Sequence, residues 1–429
     1  MSNAAQWDAP ILGRLVGQAS AAIEAIASGI RSLDPAKQPA SLLSESALLY
    51  AYLHLAEPER GWQNLAAEYL NLAIDRISNA GEAQMVGLYG GLSGVGWIVH
   101  HVSELLGDSC GTETPEADDG EDPLEELDQL ILKRLERGSW IGQYDLISGL
   151  VGVGVYCLER LPRPSAARGL DLLVDHLEKL AEESRPGITW FTPPECLPEW
   201  QRENCPSGYY NLGVAHGVPG VVQFLSQLVA ADLERTRAGK LLDRSVEWLL
   251  ARQRAPDMVS RYSSWFMPGQ DGGDSRLGWC YGDLGIGATL YHAAHCVNRP
   301  EWATPAKVLL DRCKSWPRDK ARLDDAALCH GAAGVAHIYS RIYQTEKDPR
   351  DRDAANEFYE LALGMRKPGE GVGGFLALTW RPNRGYYWES DPSFLSGAIG
   401  VALALLSSIK PITPQWDRLL LLSGHEKQR

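Results

Sequence analysis

The chain has no apolar run approaching the roughly 18 residues that a membrane-spanning helix needs. Its start, MSNAAQWDAPILGRL, lacks the basic segment and apolar stretch of a secretion signal. A soluble, cytoplasmic protein with no transmembrane segment is expected. Positive charge is also short, with 41 Lys and Arg against 55 Asp and Glu and a formal charge of −14. Sequence-independent binding of nucleic acid needs clustered cations on one face, so a nucleic-acid partner is not expected. Cysteine is scarce, eight in 429 residues, with neither a CxxC pair nor a framework spacing. That pattern excludes a disulfide scaffold and favours reduced thiols.

What the chain has instead is a repeat. The pattern G-x-x-G leading into an apolar run occurs six times, in GGLSGVGW (Gly91, Gly94), SGLVGVGVY (Gly149, Gly152), HGVPGVVQFL (Gly217, Gly220), YGDLGIGATLY (Gly282, Gly285), HGAAGVAHIY (Gly331, Gly334) and SGAIGVALALL (Gly397, Gly400). Spacing between copies is irregular, so variable loops separate similar units. Amphipathic helical patterns precede the copies at 62–77, 124–138, 167–184, 240–254, 302–314 and 352–365. Each unit then reads as an amphipathic helix, a loop, the glycine motif and a second, almost wholly apolar helix. Residues 10–56 read as one further pair without the motif. The predicted fold is all-α: a double-layered α/α toroid of six to seven helical hairpins, one domain over 1–429, with GxxG at the inner-helix starts and little β-structure. Glycine at those starts permits close backbone approach and left-handed turns. The acidic, apolar-poor stretch 107–123 reads as a flexible loop, and the Pro- and aromatic-rich 185–210 as the candidate for a small ligand-contacting insertion or a plain connection.

If the six motifs superpose, the residue before each first glycine occupies one equivalent place: Gly90, Ser148, His216, Tyr281, His330 and Ser396. One position earlier come Tyr89, Ile147, Ala215, Cys280, Cys329 and Leu395. Cys280 and Cys329 thus share a slot in adjacent repeats, and His330 follows directly. Two thiolates and an imidazole are the ligand set of a catalytic zinc site with an open fourth position, and thiolate softness selects zinc over magnesium or calcium. Core packing is the competing reading for a cysteine beside a histidine. An open zinc position would strip the proton from an incoming thiol and keep its sulfur nucleophilic. Addition of that sulfur to an electron-poor alkene generates an enolate and then needs a proton. His216 is placed by the repeat to supply it, Arg276 to stabilise the negative charge, and Asp145 to orient a histidine or arginine; structural salt bridges are the alternative for the last two. His292, His295 and Cys296 in HAAHC form a rival metal set or an ordinary polar patch, His337 reads as a core histidine, and Asp324 and Asp325 as helix-start acids.

At YDLISGLVGVG, NLGVAHGVPG, RLGWCYGDLGIG, LCHGAAGVA and PSFLSGAIGVALAL the sequence resembles the lanthionine synthetase C family. The resemblance runs through most of the chain. It implies an α/α toroid binding one Zn2+ through Cys280, Cys329 and His330, with His216 as general acid/base and Asp145, Arg276 and Tyr281 as further active-site groups. The implied reaction is intramolecular Michael addition of a peptide cysteine to dehydroalanine or dehydrobutyrine, giving lanthionine or methyllanthionine. The partner is then a dehydrated lanthipeptide precursor, leader plus core. Nothing before residue 60 resembles the dehydratase region of bifunctional synthetases, so a separate dehydratase and an exporter are expected. Relatives that add glutathione share the site, and a zinc-stabilised peptide-binding scaffold is the non-enzymatic alternative. An α/α-barrel glycosidase or a prenyltransferase fits less well, for want of a carboxylate pair or a diphosphate pocket.

Overall fold

The computed structural model describes residues 7–11, 13–78, 85–107 and 122–424. Most of the acidic stretch 107–123 lies outside these residues. The described residues fall into two compact units, one drawn from Met1–Gly81, Ile98–Pro123 and Leu323–Trp416, the other from Glu82–Trp97, Leu124–Arg322 and Asp417–Arg429.

Helices dominate both, and two kinds alternate. All six glycine motifs open buried helices: Leu92–Leu106, Leu150–Glu159, Val218–Ala230, Asp283–Val297, Ala332–Glu346 and Ala398–Ile409. Every residue of Leu150–Glu159 is buried. A further buried helix, Ala40–Ala56, begins without the motif. The amphipathic kind buries one stripe only. In Pro164–Leu180 the stripe is Leu170, Leu173, Val174 and Leu177, at the i, i+3, i+4, i+7 spacing of one helix face. Burying each such Leu or Val stabilises the fold by roughly 1.5–3 kcal/mol. Helix starts are marked locally as well: Pro349 takes the first helical position of Pro349–Gly364, and the preceding Asp348 carboxylate accepts from the Arg350 amide at 2.9 Å.

Packing sets the phase of the repeat differently from the sequence reading. Five of the buried helices pair with the amphipathic helix that follows them. In the second unit Leu150–Glu159 pairs with Pro164–Leu180, Val218–Ala230 with Arg235–Leu250, and Asp283–Val297 with Pro300–Lys314. In the first unit Ala40–Ala56 pairs with Trp62–Ser78 and Ala332–Glu346 with Pro349–Gly364, while Arg14–Arg31 packs chiefly on Ala398–Ile409. Residues 10–56 are therefore not a self-contained hairpin. Connection length explains the phase: the links at 160–163, 231–234, 298–299 and 347–348 are short and force antiparallel neighbours, whereas the stretches leading into the motifs are long.

β-structure is minor. Ala181–Glu183 pairs with Ile188–Trp190, Tyr210–Asn211 with Trp265–Met267 and that strand with Gln270–Asp271, and Ala377–Arg381 with Gly385–Glu389, all antiparallel. The segment 185–210 is built from the strand Ile188–Trp190, a bridge from Thr192 to Tyr209 and the short helix Glu199–Asn204. Leu197, Cys205 and Tyr209 form a small core under Trp265 and Met267.

The glycine motif has one steric cause. A Cβ on Gly282 would run into the carbonyl oxygen of Arg276, and one on Gly285 into that of Trp279, in each case the residue six positions earlier. Gly282 also has φ +98°, which a side chain would strain. The same offset-six carbonyl meets both glycines of the other five copies. A turn is thus laid directly onto the first turn of each helix that a glycine motif opens. Gly152→Ala, which would push a methyl into the Leu146 carbonyl, should cost about 2 kcal/mol or more in urea denaturation. Gly17→Ala, in an amphipathic helix with open space around it, should gain about 0.5–1 kcal/mol. Equal effects at the two positions would remove the steric account.

Candidate active site and metal ligands

The turn before Gly149 carries Asp145, and the fold anchors its carboxylate from below: the Ser148 amide donates to Oδ1 at 2.8 Å, and the residue is 1% exposed. The other oxygen, Oδ2, accepts from His216 Nδ1 at 2.5 Å. A carboxylate only accepts, so Nδ1 carries a proton in either charge state and Nε2 is the nitrogen that gains or loses one. No described residue partners Nε2, and 44% of the His216 side chain is exposed. Burial pulls the imidazole toward its neutral form, but the hydrogen bond and charge of Asp145, with a smaller push from Cys280, leave its pKa above the ordinary histidine value.

Tyr281 stands beside this pair, its ring centroid 6.5 Å from that of His216. Its ring lies against the backbone of Gly213, where a Cβ would collide with it. The hydroxyl oxygen accepts from Asn211 Nδ2 at 3.0 Å. Burial pushes the phenol pKa far above its usual value, so the group stays protonated. Asp145, His216 and Tyr281 share a cavity of about 320 Å³ with Thr192, Leu197 and Tyr209 from the 185–210 segment.

Cys280 immediately precedes Tyr281 and is buried. In the first unit, Cys329 and His330 occupy the corresponding turn before Gly331, where the Cys329 amide donates to the Leu395 carbonyl. Leu395 is itself two residues before a motif glycine. The same bond joins Tyr89 to Ile147 in the second unit, and Leu146, one residue ahead of its slot, donates to Ala215 there. Within each unit, then, equivalent slots of consecutive copies are backbone neighbours. The first unit thus offers a thiol and an imidazole at Cys329 and His330, and the second a thiol at Cys280. Two thiols and an imidazole are the donor chemistry of zinc.

Arg276 lies in the turn before Gly282, half-buried and without an ion pair or side-chain hydrogen bond among the described residues. The rival set does not gather. His292 Nδ1 meets Cys296 Sγ at 3.3 Å and the Gln223 amide, whereas His295 Nδ1 contacts its own helix at the Tyr291 carbonyl, 2.8 Å away. His337 is fully buried against Trp416, ring centroids 4.5 Å apart.

Asp325 needs a correction. It is not a helix-start acid but a buried member of the turn, accepting from the amides of Ala327 at 3.1 Å and Leu378 at 3.0 Å, with Oδ2 3.8 Å from His330 Nε2. The sequence reading also passed over Asn211. Both sit six residues before a first motif glycine, as does Asp391, and each side chain accepts from the amide two residues on. A short polar side chain at that fixed offset is a signature legible in the sequence.

Buried helices opened by glycine motifs and paired with amphipathic ones, with thiol and imidazole side chains in the turns ahead of them, define a helical-hairpin protein. The family model for lanthionine synthetase C-like proteins matches residues 46–421, and the chain belongs to that family. It is 24% identical over 226 residues to the nisin biosynthesis protein NisC of Lactococcus lactis subsp. lactis, an alignment covering 48% of this chain and 51% of NisC. The chain thus spans about half the length of that curated relative. It is also similar to the solved structure of nisin cyclase, with a TM-score of 0.72 and 20% identity over 93% of this chain and 96% of that one. That likeness is one of fold, and the fold is the α/α toroid.

Asp145→Asn keeps an acceptor for Ser148 and removes the charge facing His216. The His216 pKa should fall, as followed by NMR titration. Because Asp145 raises the folded-state value, the wild type's stability advantage should be full below the unfolded histidine pKa and fade as pH rises through the folded one. An unmoved pKa would show that the pair does not set the proton affinity.

Proposed function

We propose that the protein is a zinc-dependent cyclase that closes thioether rings in a dehydrated precursor peptide. The observation that carries this reading is the Asp145–His216 pair, aimed with Tyr281 into one cavity beside the turn that bears Cys280. Family membership supports it, as does the thiol and imidazole chemistry of Cys280, Cys329 and His330.

In this proposal Cys280, Cys329 and His330 hold one zinc ion per chain. Zinc there would supply the acidity that deprotonates a substrate cysteine near neutral pH. The thiolate sulfur then bonds to Cβ of a dehydroalanine or dehydrobutyrine, and the alkene π pair moves through Cα onto the carbonyl oxygen. Arg276, whose guanidinium is not spent on a carboxylate, balances that charge. His216 delivers the Nε2 proton to Cα, and Asp145 stabilises the imidazolium that holds it beforehand. The thiol proton lost and the Cα proton gained cancel, so the product is an isomer of the substrate.

Such a peptide must arrive already dehydrated. We assign that step to a separate dehydratase, and removal of the product to an exporter. We place the reaction in the cytoplasm; no helix among the described residues is long and apolar enough to cross a membrane.

Incubation with a dehydrated peptide bearing free cysteines should consume thiols, counted by alkylation, with no change in peptide mass. Cys280→Ala, Cys329→Ala and His330→Ala should lose both bound zinc, measured by elemental analysis, and thiol consumption while remaining folded. Unfolding of all three would favour a scaffold, and persistence of thiols with stoichiometric zinc in the wild type would reject the cyclase for that substrate. His216→Gln should keep its zinc but slow ring closure by about 10²–10⁴-fold. A rate equal to wild type would take the proton-donor role from His216.

A further inference from the structure

Asn211 is hydrogen-bonded to Tyr281, and its amide orientation is fixed by the backbone. It is 2% exposed, and its Oδ1 accepts from the Gly213 N–H at 2.8 Å. A backbone N–H can only donate, so the atom facing Gly213 must be the oxygen. The –NH2 is therefore the end that faces Tyr281, 3.0 Å from its hydroxyl oxygen. An amide –NH2 also only donates, so Tyr281 must accept from it. The phenolic proton is left over, and it has no acceptor among the described residues.

Tyr281 cannot swing to spend that proton elsewhere. Its ring is pressed on the Cα of Gly213, where no Cβ fits, and the same residue's amide holds Asn211. Tyr281 and Asn211 both line the cavity that contains Asp145 and His216. We propose that Asn211 is a positioning residue that fixes the direction of the Tyr281 hydroxyl proton, presenting it in this cavity to the carbonyl oxygen of the dehydrated residue. The identity of that acceptor rests on the cyclase reading, whereas the direction of the hydrogen bond does not. The cavity under the 185–210 segment is then the subsite for the electrophilic residue, polarised by Tyr281 as the sulfur adds.

Asn211→Asp tests the idea with little change of shape. It retains an oxygen for the Gly213 amide, but a carboxylate accepts where the amide donated, so the Tyr281 proton turns toward residue 211 and away from the substrate. At mildly alkaline pH, kcat should fall on the order of 10–10²-fold, with KM and Tm close to wild type. Tyr281→Phe, which deletes a single oxygen, should fall by a similar factor, and the double variant should be no slower than the slower single one. Infrared difference spectra against Tyr281→Phe report the same bond without turnover: the Tyr281 C–O stretch should shift between wild type and Asn211→Asp as the hydroxyl changes from acceptor to donor toward residue 211.

An unshifted band overturns the proposal, as do additive losses in the double variant or an active wild type beside an equally fast Asn211→Asp. If the wild type consumes no peptide thiols, the cyclase reading fails and the infrared comparison still decides the direction of the bond. Should Asn211→Asp fold poorly, Asn211→Ser, which keeps a side-chain oxygen for Gly213, takes its place in both measurements with loss of the amide donor.

Discussion

Everything in this protein's site depends on a close approach between backbone and backbone: the carbonyl six residues before each motif glycine lies where a side chain on that glycine would have to be. The contact presses a turn onto the first turn of a buried helix and leaves the turn few conformations. The two residues just ahead of the first glycine are therefore delivered to the same position in every copy. Chemistry enters by what occupies that position. Ser148 in one copy gives an amide that holds a carboxylate, His216 in the next gives an imidazole paired with that carboxylate, Tyr281 a neutral hydroxyl, and His330 a second imidazole. A scaffold this repetitive can vary its functional residues without altering the steric rule that places them.

Anchoring by main-chain amides recurs through the site. Asp145, Asn211 and Asp325 each accept from an amide two or three residues further along. Side chains held this way lose little further entropy on forming their functional contact. Their hydrogen-bond polarity is also assigned by the backbone, which cannot reverse. Asp145 therefore turns His216 into a one-nitrogen device, with Nδ1 committed and Nε2 available.

The repeat and the helical class were legible in the sequence, as was the turn position shared by His216, Tyr281 and His330, because a glycine that excludes a Cβ and a slot that repeats leave marks in one dimension. The pairing of helices was not. An amphipathic stripe says which face of Arg14–Arg31 is buried but not that Ala398–Ile409 covers it, and only the lengths of the intervening links carried a hint. Asn211 escaped the sequence, and Asp325 read as a helix-start acid, for a different reason. Their signal is an offset, six residues from a glycine, and each alone looks like any polar residue in a loop. Arg276 holds that same offset with a side chain that cannot make the turn, which frees its guanidinium for other use.

The first unit is discontinuous in the chain. Arg14–Arg31 packs on Ala398–Ile409, and Trp7 Nε1 donates to the Ser407 carbonyl at 2.7 Å across nearly the whole sequence. On a ribosome, the amphipathic face of that first helix must wait, uncovered, until the last repeat emerges. The middle of the chain, Leu124–Arg322, has its partners in hand much sooner. Synthesis therefore orders assembly from the centre outward, and the early helix is the segment most exposed to chaperones and to premature self-association.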